Sequence, residues 1–442
     1  MDYTVRRVCP FCGEVIVLNR CSIRATNAPP PVEDPYSYPD PVEPPPEAMA
    51  RPARAAGLAA LQEFESETAT PRISRRPEPR AMPPAPRRPA EPSLTDVLWS
   101  WRAPRAPDPV RRGRWFTPPP PAYTGEYPLV PLNTFPPERM ARRFCSNPQC
   151  DSPLPMDLDE RQAHIVSIVG LTAAGKTYYL TTAFNEAMNG DGLDAAGFRE
   201  FEPDEETARH FYTNYYNHVY RDNTRLQSTP EKTRANQQPL NFRAHIDGGR
   251  PMLVMTHDIA GETLMDHVKR AQNAGFLRRS SGLIFLVDPL EFDAVRARVP
   301  REQLPRARSI HQRDLLAATL RELDFEPGRR KVPVTVVISK ADLLAQLFPG
   351  GARLLDPGLG RVRSQEAWLQ AMQESSAYVR SLLIELGQQR LVRTAEQYGR
   401  VSFHAVSAIG ATPGPNGEIL PSPRRVLDPL AVVLWRLSTA LR

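Results

Sequence analysis

From residue 159 onward, apolar runs alternate with amphipathic stretches, a pattern that predicts strands separated by helices. HIVSIVG (164–170) reads as a strand running into a glycine-bearing loop, and KTYYLTTAFNEAMNG (176–190) as the helix that follows. PLNFRAHI (239–246) and PMLVMTHD (251–258) flank D-G-G-R, a turn signal, and read as an antiparallel hairpin. SGLIFLVDP (281–289), PVTVVISKAD (333–342) and RVSFHAVSA (400–408) are further apolar strands. Helices are predicted over 307–323 and 365–398, with a last one in VLDPLAVVLWRLSTALR. EETARHFYTNYYNHVY (205–220) carries aromatics at helical spacing and reads as a packing helix rather than a base-stacking surface. Strands that are apolar throughout, with helices between them, predict an α/β fold: a three-layer sandwich around a mostly parallel six-stranded sheet.

The stretch before residue 159 follows neither period. Of 49 prolines, 29 lie between Asn27 and Arg142, a density that excludes a packed domain there. Within it, AAGLAALQEFES (55–66) and SLTDVLWSWRA (93–103) have helical spacing and read as transient helix on a disordered tether, or as docking motifs for a partner. The expected organisation is therefore a split small module at 1–27 and 143–157, a disordered proline-rich insertion at 28–142, and a globular domain at 158–442.

Composition changes this picture in two places. The net charge of +6 over 442 residues is spread through an arginine-rich chain, partly in the proline-rich segment, which argues against a nucleic-acid partner. No apolar run reaches the length of a membrane span, and MDYTVRRVCPFCGEV lacks a signal-peptide core, so a cytoplasmic protein is expected. In a reducing compartment the five cysteines are not expected to form disulfides. Four of them form two knuckles, C-P-F-C (Cys9, Cys12) and C-S-N-P-Q-C (Cys145, Cys150), able to give four thiolates to one tetrahedral Zn²⁺. The knuckles are 132 residues apart, so a zinc ribbon here would be split by the insertion; unrelated reduced thiols are the alternative. Cys21 is a spare or a replacement ligand.

The glycine loop G-L-T-A-A-G-K-T (Gly170, Leu171, Thr172, Ala173, Ala174, Gly175, Lys176, Thr177) sits after a strand and opens a helix. Free backbone N–H groups and the helix dipole favour an anion there. Lys176 is one of only five lysines against 51 arginines, so the position asks for more than generic charge. In this pattern the lysine reaches β- and γ-phosphates and the Thr177 hydroxyl meets Mg²⁺. D-I-A-G-E follows the strand ending at 258; Asp258 would hold Mg²⁺ through water, and the Gly261 N–H would meet a γ-phosphate. In I-S-K-A-D (338–342), containing Ser339 and Lys340, the Asp342 carboxylate can accept both the N1 proton and the exocyclic amine of guanine. Adenine offers no such pair. Ser407 and Ala408, after the last strand, could add a main-chain donor to the guanine O6.

GLTAAGKT, DIAG, SKAD and SA, in this order on these strands, resemble the motif set of translation-factor-class P-loop GTPases over about residues 160–442. With the upstream CPxC ribbon and the E of D-I-A-G-E, the chain looks most like the bacterial double-GTPase families. That resemblance implies a GTP-binding and GTP-hydrolysing switch in a conflict or signalling system, with GTP/GDP, Mg²⁺ and Zn²⁺ as cofactors and protein partners that include a second GTPase. It also implies a switch threonine before PLNFRAHI, where Thr229 and Thr233 compete; Pro230 biases Thr229 toward the extended backbone and favours it. Two positions depart from the family pattern. SKAD has serine where asparagine or threonine is usual, and Glu262 stands where many small GTPases carry the glutamine that orients the attacking water. An anionic Glu262 repels a γ-phosphate, which sets hydrolysis apart from binding and keeps open a nucleotide-binding scaffold with negligible turnover. A small-molecule kinase would leave SKAD and DIAG without a role.

Overall fold

The computed structural model describes residues 5–27, 139–189, 191–224, 226, 239–258, 276–301, 304, 310–324, 331–355, 364–410 and 420–440. The helical stretches expected at 55–66 and 93–103, with nearly all of the proline-rich segment, lie outside them.

Two small antiparallel ladders precede the main domain: β1 (Arg6–Val8) with β2 (Val15–Val17), and β3 (Ile23–Asn27) with β4 (Arg139–Arg143). Strand β4 extends the small module back to Arg139, past the boundary expected at 143, because its backbone pairs in register with β3 from Ile23 to Asn27. The two ends of the proline-rich segment are thus held side by side.

The main sheet among the described residues has seven strands in the order β11-β10-β9-β5-β8-β7-β6. These are β5 (Gln162–Gly170), β6 (Phe198–Pro203), β7 (Leu240–Ile246), β8 (Met252–Asp258), β9 (Gly282–Val287), β10 (Val334–Ile338) and β11 (Val401–Ala405). All neighbouring pairs from β8 to β11 are parallel, and β7 pairs antiparallel with both β8 and β6. The α/β sandwich is as expected, but six strands becomes seven. The extra strand, FREFEP, buries Phe198 and Phe201 on a spacing of three, because the register shifts between Phe198 and Glu200 and breaks the period-two signal. Its exposed edge is charged, with Arg199 paired to Asp247 at 2.6 Å.

Among the described residues the α-helices of seven or more residues are α1 (Lys176–Asn189), α2 (Glu205–Phe211), α3 (Gln312–Leu323), α4 (Ala341–Leu347), α5 (Gln365–Glu385), α6 (Gln389–Tyr398) and α7 (Leu427–Ala440). The helix expected over 365–398 is two, broken at Gly387 in the left-handed region (φ 81°). Helix α2 continues as a π-helix over Tyr212–Arg221, with Phe211, Tyr215 and Val219 packed inward. One sheet face packs on α1 and α7, the other on α3, α4 and α6, and α5 contributes to both. Central strands β9 and β10 are buried at every position, which is why their sequences carry no polar alternation. Because β5 has β8 on one side and β9 on the other, the strand order reverses at the carboxyl end of β5, the position at which open α/β sheets bind ligands.

Candidate functional site

Glycine 170 ends β5 against β9, where a Cβ would sit 2.7 Å from the Leu286 carbonyl oxygen. Gly175 has a different reason: its φ is +85°, and a Cβ there would meet nothing within 4 Å. Between them Ala173 is also left-handed (φ 58°), a strained conformation of the kind kept at ligand-binding turns. The loop thereby turns from β5 into α1, whose first residue is Lys176. The Lys176 side chain is buried, and its Nζ donates to the carbonyl oxygens of Gly170 (3.0 Å) and Leu171 (2.9 Å). The ammonium is folded along the inside of the loop. Thr172 and Ala173 are exposed, Ala174 is buried and Thr177 is half-buried in the first helical turn. One α1 residue further on, the Tyr178 hydroxyl accepts from the Leu226 N–H at 3.0 Å, which ties the helix start to the chain just before residue 227.

Across β5, Asp258 ends β8 in register with Ile168, so its backbone stands beside the last turn of chain before the loop. Gly261, Glu262, Thr229 and Thr233 lie outside the described residues.

The second half of the candidate site follows β10. Ser339 is locked to β9, its N–H and Oγ both donating to the Val287 carbonyl at 2.9 and 3.1 Å. Lys340 adopts the left-handed conformation (φ 51°) and its Nζ meets Asp288 Oδ2 at 2.8 Å. Ala341 N–H donates to Val406 O at 3.0 Å, which pins the start of α4 to the end of β11. Asp342 accepts a short hydrogen bond from Ser407 Oγ, which itself accepts from the Gly410 N–H at 3.0 Å. Ser407 is in addition bridged by its backbone to Arg424, and Ala408 beside it is half-buried. The residues of S-K-A-D and of the 407–408 turn are therefore one hydrogen-bonded unit. Sequence reasoning gave Ser407 a main-chain role; its hydroxyl proves to be a partner of Asp342. It gave no role to Asp288 or Gln312, although an aspartate directly at the end of an apolar strand was the available signal.

The second cluster is in the small module. Among the described residues, the Sγ atoms of Cys9, Cys12, Cys145 and Cys150 all lie within 4.8 Å of one another. Cys9 and Cys150 are 3.9 Å apart and Cys12 and Cys145 3.7 Å. A tetrahedral zinc with Zn–S near 2.3 Å requires sulfur separations of about 3.8 Å, so the four thiols fit that ion. Backbone N–H groups of Phe11 and Asn147 point at Cys9 and Cys145 Sγ (3.4 and 3.5 Å), the polarity a thiolate needs. Hydrogen bonds from Cys145 and Cys9 favour the thiolate of Cys12 and lower its titration. Cys21 is buried elsewhere, its thiol donating to the Val17 carbonyl at 3.5 Å, and burial pushes its titration up. The cluster packs against Ile165 of β5, Leu253 and Met255 of β8 and Phe276 before β9, and Arg7 Nε donates to the Leu158 carbonyl at 3.0 Å.

The model of a family described as Double-GTPase 2 matches residues 164–387. The putative ESX-1 scaffolding and assembly protein SaeC of Mycolicibacterium smegmatis (strain ATCC 700084 / mc(2)155) is 25% identical over 231 residues, covering 51% of this chain and 58% of that protein. The chain thus matches little over half the length of this curated relative. Among solved structures, the Arl6 BBS3 small GTPase from Trypanosoma brucei, with bound nucleotide analogue GppNp, is similar over 64% of this chain and 100% of its own, at 11% identity and TM-score 0.30. The Methanosarcina barkeri Roco2 RocCORdC, bound to GDP, is similar over 63% of this chain and 50% of its own, at 14% identity and TM-score 0.26.

Proposed function

The chain belongs to the Double-GTPase 2 family, and from that premise we propose that it is a Mg²⁺-dependent guanine-nucleotide switch that hydrolyses GTP. The observation that carries this reading is the arrangement at one sheet edge: the buried Lys176 loop at the end of β5, and the Asp342–Ser407 unit formed by the ends of β10 and β11. The first supplies a charge and backbone donors suited to phosphate oxygens; the second supplies an oriented carboxylate for two base donors. Neither alone distinguishes GTP from another anion or another base.

On this reading Gly170 to Thr177 cradle the phosphates, with Gly261 N–H at the γ-phosphate. Thr177, Thr229 and, through water, Asp258 would hold Mg²⁺, whose charge neutralises the phosphate oxygens. Ser339, Lys340, Asp342, Ser407 and Ala408 take the base. Hydrolysis depends on what Glu262 and Thr229 do. The carboxylate of Glu262 must be turned away or protonated for a γ-phosphate to sit beside it, and if it is neither, the chain is a nucleotide-binding scaffold with negligible turnover. The scaffolding and assembly role for which SaeC is named supports that second reading. Cys9, Cys12, Cys145 and Cys150 would hold Zn²⁺ as a structural cross-link between the two arms of a split ribbon. We place the switch in the cytoplasm, in a conflict or signalling system, acting with protein partners and a second GTPase.

The test is nucleotide binding and turnover by the full chain. Wild type is expected to bind GTP or GDP with Mg²⁺ in preference to ATP; Lys176→Ala should abolish binding, and Asp342→Asn should shift preference toward xanthine nucleotides. Equal affinity for GTP and ATP sinks the guanine assignment. Unchanged affinity in Lys176→Ala sinks the phosphate loop.

A further inference from the structure

Asp288 sits at the carboxyl end of β9 and has no exposed surface. Its backbone is clamped by one side chain: Gln312, on α3, accepts from the Asp288 N–H through Oε1 and donates to the Asp288 carbonyl through Nε2 (3.0 Å). Among the described residues its carboxylate accepts from the Leu290 N–H on Oδ1 (3.1 Å) and from the Lys340 ammonium on Oδ2 (2.8 Å). A buried carboxylate built into a rigid frame is thus aimed at a lysine whose side chain is about one-third exposed (33%). An exposed ion pair contributes little, because both partners are mobile and solvated. Here one partner is fixed.

Lys340 is fixed at its other end as well. Its neighbours are tied down on both sides, Ser339 to Val287 and Ala341 to Val406, and its own backbone is left-handed, which an L-residue adopts at a cost. With the backbone and the ammonium both held, the four methylenes between them form a strap from the loop after β10 to the end of β9. Such a strap presents apolar surface with its charge already neutralised. It can lie against the face of a purine but cannot read the donors and acceptors on its edge.

We propose that Asp288 is a positioning residue that raises the affinity of the base site without setting its selectivity, by holding Lys340 in place before nucleotide arrives. This rests on the guanine-nucleotide reading above. Immobilising one long side chain on binding carries an entropic cost, and Asp288 removes that cost in advance. Loss of the anchor should weaken binding about 2- to 13-fold, the range set by ordering one rotamer-rich side chain.

The experiment is a double-mutant cycle in the full chain, titrating GDP, IDP and ADP. IDP lacks the exocyclic amine and reports base-edge reading, whereas strap contact is common to all three. Asp288→Asn keeps the acceptor for Leu290 and removes the charge. It is expected to weaken GDP and IDP by the same factor, within the range above, with their ratio unchanged. In a Lys340→Ala background it should do nothing further. The proposal is overturned if Asp288→Asn binds like wild type, if it changes the GDP:IDP ratio, or if its effect persists without Lys340. Should Asp288→Asn not fold, Lys340→Met, which keeps a stem but cannot be anchored, must show the same uniform loss, and wild-type affinity in that variant overturns the proposal. A wild-type chain that binds ADP as well as GDP sinks the guanine reading instead, and the cycle then still reads the strap on either nucleotide.

Discussion

Replacing Ser407 with alanine removes one hydroxyl that serves two groups, the Asp342 carboxylate and the Gly410 N–H. A hydrogen bond to a charged group contributes about 1.5 to 3 kcal/mol, which converts to roughly 13- to 160-fold in affinity if the carboxylate loses its orientation entirely. Asp342 is only half-buried, so water can take the place of the hydroxyl and the lower end applies, about 10-fold. The loss should fall on guanine nucleotides, whose two donors need the carboxylate in one rotamer, and should leave the weak binding of adenine nucleotides unchanged. Separately, the Gly410 N–H, in a turn at φ +87°, loses its acceptor. The fold should therefore lose about 1 kcal/mol.

The assay is competition of GTP and ATP against a fluorescent GDP, run beside a denaturant titration of the same variant. The expected result is a GTP:ATP selectivity reduced about 10-fold with a small shift in the unfolding midpoint. A variant that is destabilised but keeps its full selectivity refutes the reasoning, because Ser407 would then be a turn residue and its bond to Asp342 incidental. Ser407→Thr, which restores the hydroxyl, should recover selectivity.

Two further outcomes are expected. Metal analysis of protein purified without chelator should give one zinc per chain; Cys12→Ser or Cys145→Ser should lose it and Cys21→Ser should keep it, since only Cys21 points away from the other thiols. His164, buried in β5, is pushed down to about 4 by burial from an ordinary value of 6.5, so the unfolded chain binds its proton first and folding stability falls as pH drops from 6.5 toward 4. At pH 5 this amounts to about 2 kcal/mol, and urea titrations at pH 7.5 and 5 should show His164→Leu losing that much less than wild type.

How far the sequence could be read depended on which signals are local. Strands β5, β9 and β10 declare themselves by mostly apolar runs, and the hairpin of β7 and β8 by D-G-G-R, since burial on both faces and a tight turn each leave a direct mark. Strand β6 left none, because a register shift moved its two buried phenylalanines off the alternating pattern and three of its six residues are charged. The break in the 365–398 helix is signalled only by Gly387, and a single glycine is tolerated in a helix too often to be read as a break. For the thiols, two knuckles separated by 132 residues gave ligand identity but not convergence, which depends on the pairing of β3 with β4 across the insertion.

The proposed base site shows the same division at the level of single residues. S-K-A-D announces Asp342 because a short motif after an apolar strand fixes where the carboxylate emerges. What orients that carboxylate is set by parallel register, which brings Ile338 of β10 level with Val287 of β9 and Ala405 of β11. The residues just beyond those three positions then converge: Asp288 from one strand end, Ser339 and Lys340 from the next, Ser407 from the last. None of them is within 50 residues of the others across strands, since Asp288 and Lys340 are 52 apart and Asp342 and Ser407 65 apart. A lysine and an aspartate two residues apart look in sequence like partners of each other. In the fold each is turned to a different neighbour, Lys340 to Asp288 and Asp342 to Ser407, and that separation keeps the Asp342 carboxylate free of an internal ion pair with the adjacent lysine. A carboxylate already neutralised by its own motif would have little left to offer two base donors, whereas the Ser407 hydroxyl orients Asp342 and leaves its charge intact.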